Sequence, residues 1–218
     1  MEKVKTTVDS AKASPKDTFA DNLDGAYWNN RYESNATQWD LGCVSPPLKA
    51  YIDQITDKNL RILIPGCGNT YEAAYLLENG FTDITLIDIA PALVKELKKT
   101  FSSAPQVHII LGDFFEHEGK YDLILEQTFF CAIDPQLRER YVAKMNDLLD
   151  INGKLVGVLF NTVFEHSGPP FGGDISDYEV LFGKKFNIQL MEKCYNSFVK
   201  RKETELFIKL QKHHNKLL

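Results

Sequence analysis

The sequence predicts an α/β domain: a doubly wound, mostly parallel seven-stranded sheet with helices on both faces and a C-terminal antiparallel hairpin. Three observations carry this. Short apolar runs alternate with segments of helical period from residue 60 to residue 160. A Gly-rich turn or an acid directly follows four of those runs. The last two strand-like segments, about 186–195 and 204–210, have nothing helical between them and so should pair as a hairpin.

Each element has a local reason. Pro46-Pro47 opens a helix through Leu48, Tyr51, Ile52 and Ile55. Leu60–Pro65 is the first strand and ends in Gly66-Cys67-Gly68; Ala73, Ala74, Leu76 and Leu77 then take helical spacing before Gly80 stops it. Ile84–Ile87 is the second strand, ending on Asp88. Pro91 suits a first helical position, with Leu93, Val94, Leu97 and Phe101 on the apolar face. Val107–Leu111 is the third strand, followed by Gly112-Asp113-Phe114, and Tyr121–Leu125 the fourth, followed by Glu126. Asp134-Pro135 starts a helix carrying Leu137, Tyr141, Met145 and Leu148. Asn152-Gly153 turns the chain into a fifth strand, Lys154–Phe160, and a short helix near Tyr178–Phe182 precedes the hairpin.

The chain of 218 residues suits one domain, and 44% hydrophobic with 25% charged residues is a globular composition. Residues 1–24 are polar and mixed in charge, so they read as a flexible tail, or one that orders over a ligand, ahead of a single domain over 25–218. They have neither the apolar core of a signal peptide nor the acid-poor composition of a transit peptide. No run approaches the roughly 18 apolar residues of a membrane span. A net charge of -5 offers no footprint for nucleic acid. The four cysteines, Cys43, Cys67, Cys131 and Cys194, form no C-x-x-C pair, so neither a disulfide framework nor a bound metal is expected. The resulting expectation is a cytoplasmic protein, monomer or weak dimer, whose partner is a small molecule.

Ligands of doubly wound sheets sit outside the carboxyl ends of the strands. There, Gly66 and Gly68 let the backbone approach a ligand closely. Asp88, 20 residues beyond Gly68, places a carboxylate where it can accept both hydroxyl protons of a ribose. Asp113-Phe114 offers an acceptor for an adenine amino group with a ring or amide beside the base. The set fits an adenosine cofactor, and a dinucleotide would use part of it. The dinucleotide fingerprint G-x-G-x-x-G, however, needs a third glycine where Tyr71 stands, and the terminal hairpin favours methyl transfer over hydride transfer.

The motifs W-x-x-R-Y (Trp28, Arg31, Tyr32), W-D-x-G (Trp39, Asp40, Gly42), PGCG (Pro65–Gly68), IDI (Ile87–Ile89), GDFF (Gly112–Phe115), FCAI (Phe130–Ile133) and HSGPPF (His166–Phe171) run from about Tyr27 to Lys212. In this order they resemble the thiopurine S-methyltransferase family, and within it the plant-type thiol and halide methyltransferases. The resemblance implies a Rossmann-like class I fold and S-adenosyl-L-methionine as cofactor, with S-adenosyl-L-homocysteine as its product. It further implies that an N-terminal segment, about residues 25–45, covers the cofactor through Trp28, Tyr32 and Trp39. Cofactor contacts are implied for the Gly66-Cys67-Gly68 turn, for Asp88 and Ile89, and near Asp113 and Phe114-Phe115. The vertebrate enzymes carry an arginine after the acid that ends the fourth strand. Here Gln127 follows Glu126, and Phe129–Ile133 looks like the plant-type enzymes.

The expected acceptor is therefore a small soft nucleophile: a thiol, hydrosulfide, thiocyanate or a halide. Gln127, Phe130 and Phe171 are the expected acceptor contacts, with Glu126 and His166 as catalytic candidates. Glu126 could deprotonate a thiol or orient the cofactor's ammonium group. Cys131 lacks an activating base and reads as a small buried apolar residue. Two alternatives stay open: an oxygen or nitrogen methyltransferase of a small metabolite, which would need a general base, and a binding protein without turnover.

Overall fold

A computed structural model describes residues 23–213. The expectation of a flexible tail concerns residues that lie, for 1–22, outside the described ones. Helix α1 (Gly25–Glu33) starts where the Asp24 carboxylate accepts from the Tyr27 amide at 2.8 Å. Helix α2 (Pro46–Ile52) opens on the expected prolines and buries Leu48 and Ile52. The alternating part follows as β1 (Arg61–Pro65), α3 (Tyr71–Glu78), β2 (Asp83–Asp88), α4 (Pro91–Thr100), β3 (Val107–Leu111) and β4 (Tyr121–Gln127). Then come α5 (Arg138–Leu148), β5 (Leu149–Phe160), α6 (Ile175–Gly183), β6 (Phe186–Lys193) and β7 (Glu205–Lys212).

The strands form one seven-stranded sheet in the order β3-β2-β1-β4-β5-β7-β6. Strands β1 to β5 are parallel, and β7 runs antiparallel between β5 and β6. Alternate residues of the central strands feed opposite layers, as a period of two requires. Ile62, Ile64, Leu123, Leu125 and Val156 pack with Leu48 of α2, Leu76 of α3 and Leu93 of α4. Leu63, Ile124 and Leu155 pack with Tyr141 of α5 and Phe182 of α6 on the other face. The chain order reverses between β1 and β4, which opens a crevice at their carboxyl ends.

Three local expectations change. The fifth strand begins at Leu149, which pairs with Tyr121 before the register shifts and Lys154 pairs with Leu123. Asn152, at φ +65°, and Gly153 thus form an irregularity inside the strand, not a turn ahead of it. Asp134 caps a 3-10 turn over Pro135–Leu137, and α5 starts only after it. Another 3-10 turn, Val199–Arg201, lies in the connection between β6 and β7, where nothing helical was expected. Because Phe160 pairs with Glu205, that connection returns to the carboxyl edge of the sheet.

Candidate active site at the carboxyl edge of the sheet

The ends of β1 to β5 and the N-terminal segment enclose a cavity of about 870 Å³. Gly66 and Gly68 both take φ +53°, a left-handed conformation in which a side chain is strained. Their neighbours differ. A Cβ on Gly66 would lie 2.2 Å from the Phe129 ring, so its lack of a side chain makes room for that phenylalanine. A Cβ on Gly68 would meet the Tyr32 hydroxyl at 3.4 Å. Both glycines and Cys67 line the cavity.

Asp88 is buried at the end of β2 and lines the cavity. Its carboxylate accepts from the amides of Ala90 at 3.0 Å and Gly68 at 3.2 Å, which fixes it against the Gly-rich turn. Burial pushes its pKa up, and those two amides oppose the rise. Ile89, Asp113 and Phe114 also line the cavity, with the Asp113 carboxylate accepting from the Phe115 amide at 2.8 Å.

The N-terminal aromatic residues form one wall. Trp39 stands edge-to-face with Trp28 at 5.6 Å and with Tyr32 at 5.7 Å between ring centroids. Burial pushes the Tyr32 hydroxyl pKa well up. The Arg31 guanidinium lies 5.4 Å from the centre of the Trp39 ring and donates to Gln38 at 3.0 Å. Asp40 ties this segment to the glycine turn by accepting from Asn69 and from Tyr71.

Four of the residues expected at the site do not line this cavity. Glu126 is fully buried beneath the loop that follows β4; its carboxylate accepts from Phe129 and Phe130 amides and from the Tyr141 hydroxyl. Phe130 is a core residue, packed on Tyr141, Tyr178 and Phe182. Phe171 turns its amide to the Cys131 carbonyl at 2.7 Å. His166 is exposed and stacks on Phe164 at the rim, where it lines a separate cavity. Gln127 does line the main cavity, as do Phe129, Cys131, Phe164 and Pro169-Pro170. Burial raises the Cys131 thiol to about 12, in keeping with an inert side chain.

The connection between β6 and β7 brings in residues that sequence reading did not single out. Arg201 is buried, donates to the Trp39 carbonyl at 2.6 Å and to Glu205 at 3.4 Å, and lies 5.4 Å from the Phe160 ring centre. Arg201 and Lys200 both line the cavity. The signal was available: a hairpin after a parallel sheet must return its connection to the edge where ligands bind.

A doubly wound sheet ending in an antiparallel hairpin, with an acid and a glycine turn at its reversal point, defines the class I methyltransferase fold. The sequence matches the family model Thiopurine S-methyltransferase (TPMT) over residues 23–217, and the chain belongs to that family of S-adenosylmethionine-dependent methyltransferases. It is 32% identical over 157 residues to a probable thiol methyltransferase 2 of Arabidopsis thaliana, covering 70% of this chain and 69% of that protein. It is 27% identical over 184 residues to thiocyanate methyltransferase 1 of Brassica oleracea, covering 82% and 81%. Among solved structures, 1,6-didemethyltoxoflavin-N1-methyltransferase of Burkholderia thailandensis, with bound 1,6-didemethyltoxoflavin and S-adenosylhomocysteine, superposes with a TM-score of 0.73. That likeness covers 94% of this chain and 93% of the other at 18% identity and concerns the fold.

The residues present fit the family's cofactor. Of the buried side-chain polar atoms left without a partner among the described residues, Thr70 Oγ1, Gln127 Oε1 and Arg31 Nε belong to residues that line the cavity. Buried polar atoms need partners, and a polar ligand in the cavity would supply them.

Proposed function

We propose that this chain transfers a methyl group from S-adenosylmethionine to a small soft nucleophile: a thiol, hydrosulfide, thiocyanate or halide. The observation that carries the reading is the lining supplied by the loops after β4 and β5: Gln127, Phe129, Cys131, Phe164 and Pro169-Pro170. Elsewhere the cavity is lined by three cations, Arg31, Lys200 and Arg201, and by six carboxylates. The carboxylates that line it, Asp24, Asp40, Glu72, Asp88, Asp113 and Asp134, each accept from an amide of the protein. Glu126 and His166 stand outside it. Gln127, Phe129, Cys131, Phe164 and Pro169-Pro170 present no carboxylate or imidazole to an acceptor, which suits a weakly hydrated, polarisable nucleophile that ionises readily, whereas hydroxyl or amine acceptors call for a general base.

The cofactor supplies an electrophilic methyl group on a sulfonium. Asp88 would accept from the ribose hydroxyls, Asp113 and Phe114 would hold the adenine, and the Gly66-Cys67-Gly68 turn and Ile89 would pack against the nucleoside. Trp28, Tyr32 and Trp39 would cover the sulfonium end, where an aromatic face attracts a cation by about 0.5–2 kcal/mol. On the acceptor side, Gln127, Phe129, Cys131, Phe164 and Pro169-Pro170 exclude water, with Phe130 and Phe171 holding them from behind. Positioning of the two reactants is the main chemical task, worth on the order of 7–11 kcal/mol in favourable cases.

The test is an acceptor screen with labelled S-adenosylmethionine covering hydrosulfide, thiocyanate, iodide, aromatic thiols, a thiopurine, catechols and carboxylates. Transfer to sulfur or halide acceptors is expected, with poor transfer to catechols and carboxylates. Efficient transfer to oxygen or nitrogen and none to sulfur or halide would overturn the reading.

The covering role of the N-terminal segment has its own readout. Backbone amides of 25–45 are expected to exchange more slowly when S-adenosylhomocysteine is added, because the ligand closes the cavity against Trp28 and Trp39. Equal exchange with and without ligand would assign both tryptophans to the static core.

A further inference from the structure

The loop after β4 lines the cavity with Gln127, Thr128 and Phe129, and its anchor is a carboxylate that does not face the cavity. Glu126 and Tyr141 are both fully buried. Glu126 Oε1 accepts from the Phe129 amide at 2.8 Å and the Phe130 amide at 3.0 Å, while Oε2 accepts from the Tyr141 hydroxyl on α5. The loop needs such an anchor, since Thr128 sits at φ +59°, a conformation that β-branched residues avoid.

What the anchor fixes reaches both sides of the cavity. The Phe129 ring fills the space that Gly66 leaves by having no Cβ, and stands edge-to-face with Phe114 at 5.1 Å. The Cys131 carbonyl accepts from the Phe171 amide at 2.7 Å, which joins the loop after β4 to the loop after β5. A residue that packs on the glycine turn and one that lines the acceptor side therefore hang from the same carboxyl group. Among the described residues no cation contacts that group: its partners are the two amides and the tyrosine hydroxyl.

We propose that Glu126 is a positioning residue: its carboxyl oxygen holds the Phe129 and Phe130 amides so that Phe129 and Cys131 form the acceptor wall, and it exchanges no proton with the acceptor. The kinetic part of this inference rests on the methyl transfer proposed above; the structural part does not.

The two roles separate in Glu126→Gln. Glutamine keeps an oxygen for both amides and can donate its amide to the Tyr141 oxygen, but it cannot act as a base. Glu126→Leu keeps bulk and loses the acceptor, leaving two buried amides without partners. Glu126→Leu is expected to raise the KM of the acceptor at least about tenfold and, because Phe129 packs on the Gly66 turn and on Phe114, to raise the calorimetric Kd of S-adenosylhomocysteine as well. Glu126→Gln is expected to return kcat/KM to within about threefold of the wild type. Hydrogen exchange of the Phe129 and Phe130 amides should be slow in the wild type and Glu126→Gln, and fast in Glu126→Leu.

Loss of activity in Glu126→Gln with both amides still protected would make Glu126 a base and overturn the proposal. So would protected amides in a folded Glu126→Leu variant. Where the leucine variant does not fold, Glu126→Gln alone decides, since it removes the base and keeps the hydrogen-bond acceptor. Where the wild type methylates none of the acceptors screened, the proposed transfer fails, yet the exchange comparison still decides whether Glu126 anchors the loop.

Discussion

Asp88→Ala is expected to raise the Kd of S-adenosylhomocysteine at least tenfold, which corresponds to about 1.4 kcal/mol. The carboxylate ends β2, lines the cavity and is already oriented by the Ala90 and Gly68 amides at 3.0 and 3.2 Å. Hydrogen bonds to a charged group are worth roughly 1.5–3 kcal/mol each, so two ribose hydroxyls leave a margin over the tenfold minimum. Desolvation is part of the effect. Burial has raised the Asp88 pKa, so its remaining acceptor capacity lacks full solvation until a donor arrives. Titration calorimetry on the folded variant checks this, with circular dichroism as the control, because the two amides lose their partner too. Unchanged affinity in a folded Asp88→Ala protein would remove Asp88 from the cofactor site. Asp88→Asn offers a graded comparison: it retains one oxygen acceptor but turns an NH2 group toward a second amide donor, so its loss should be similar or slightly smaller.

The order of elements was legible because each strand end carries its own punctuation. Gly66 and Gly68 close β1, Asp88 closes β2 and Pro91 opens α4, all short-range signals that tertiary packing does not override. Ligand crevices of such sheets follow from topology, and the residues named from strand ends, Asp88, Asp113 and the glycine turn, line the cavity. The acceptor half was less legible. In the loop after β4, Phe129 and Phe130 are adjacent in sequence, yet one lines the cavity and the other packs in the core against Tyr178. Which of two neighbours faces inward depends on the left-handed turn at Thr128, and that turn depends on Glu126 and on a tyrosine 15 residues away. Arg201 shows the same limit at longer range: its role comes from a contact with the Trp39 carbonyl, 162 positions apart. Single-residue chemistry, such as an acid at a strand end, points into the ligand crevice equally well for Asp88 and Glu126. Only the hydrogen-bond partners tell a cavity-lining carboxylate from one that anchors a loop.

The anchoring role of Glu126 has a thermodynamic consequence with a definite sign. Burial raises its pKa from the ordinary 4.5 to about 7, against the opposing pull of Tyr141 and the two amides. Between those two values the folded protein binds the proton more tightly than the unfolded chain does. The stability contributed by this group is therefore complete below about pH 4.5 and is lost as the pH rises toward 7. At 1.36 kcal/mol for each unit, the loss is on the order of 3 kcal/mol. In a domain of this size that is roughly 6–12 °C in melting temperature. Glu126→Gln carries no ionisable group there, so the melting temperature of the wild type should fall relative to that variant as the pH rises from 4.5 to 7. The comparison matters because Asp88, Glu72 and Glu205 also have pKa values raised by burial and destabilise both proteins alike. Taking the difference between wild type and variant removes their contribution. Parallel melting curves across this window would mean that Glu126 titrates as an exposed carboxylate does. That result would also undo its place beneath the acceptor wall, since a carboxyl group shut away from water with neutral partners should show this dependence.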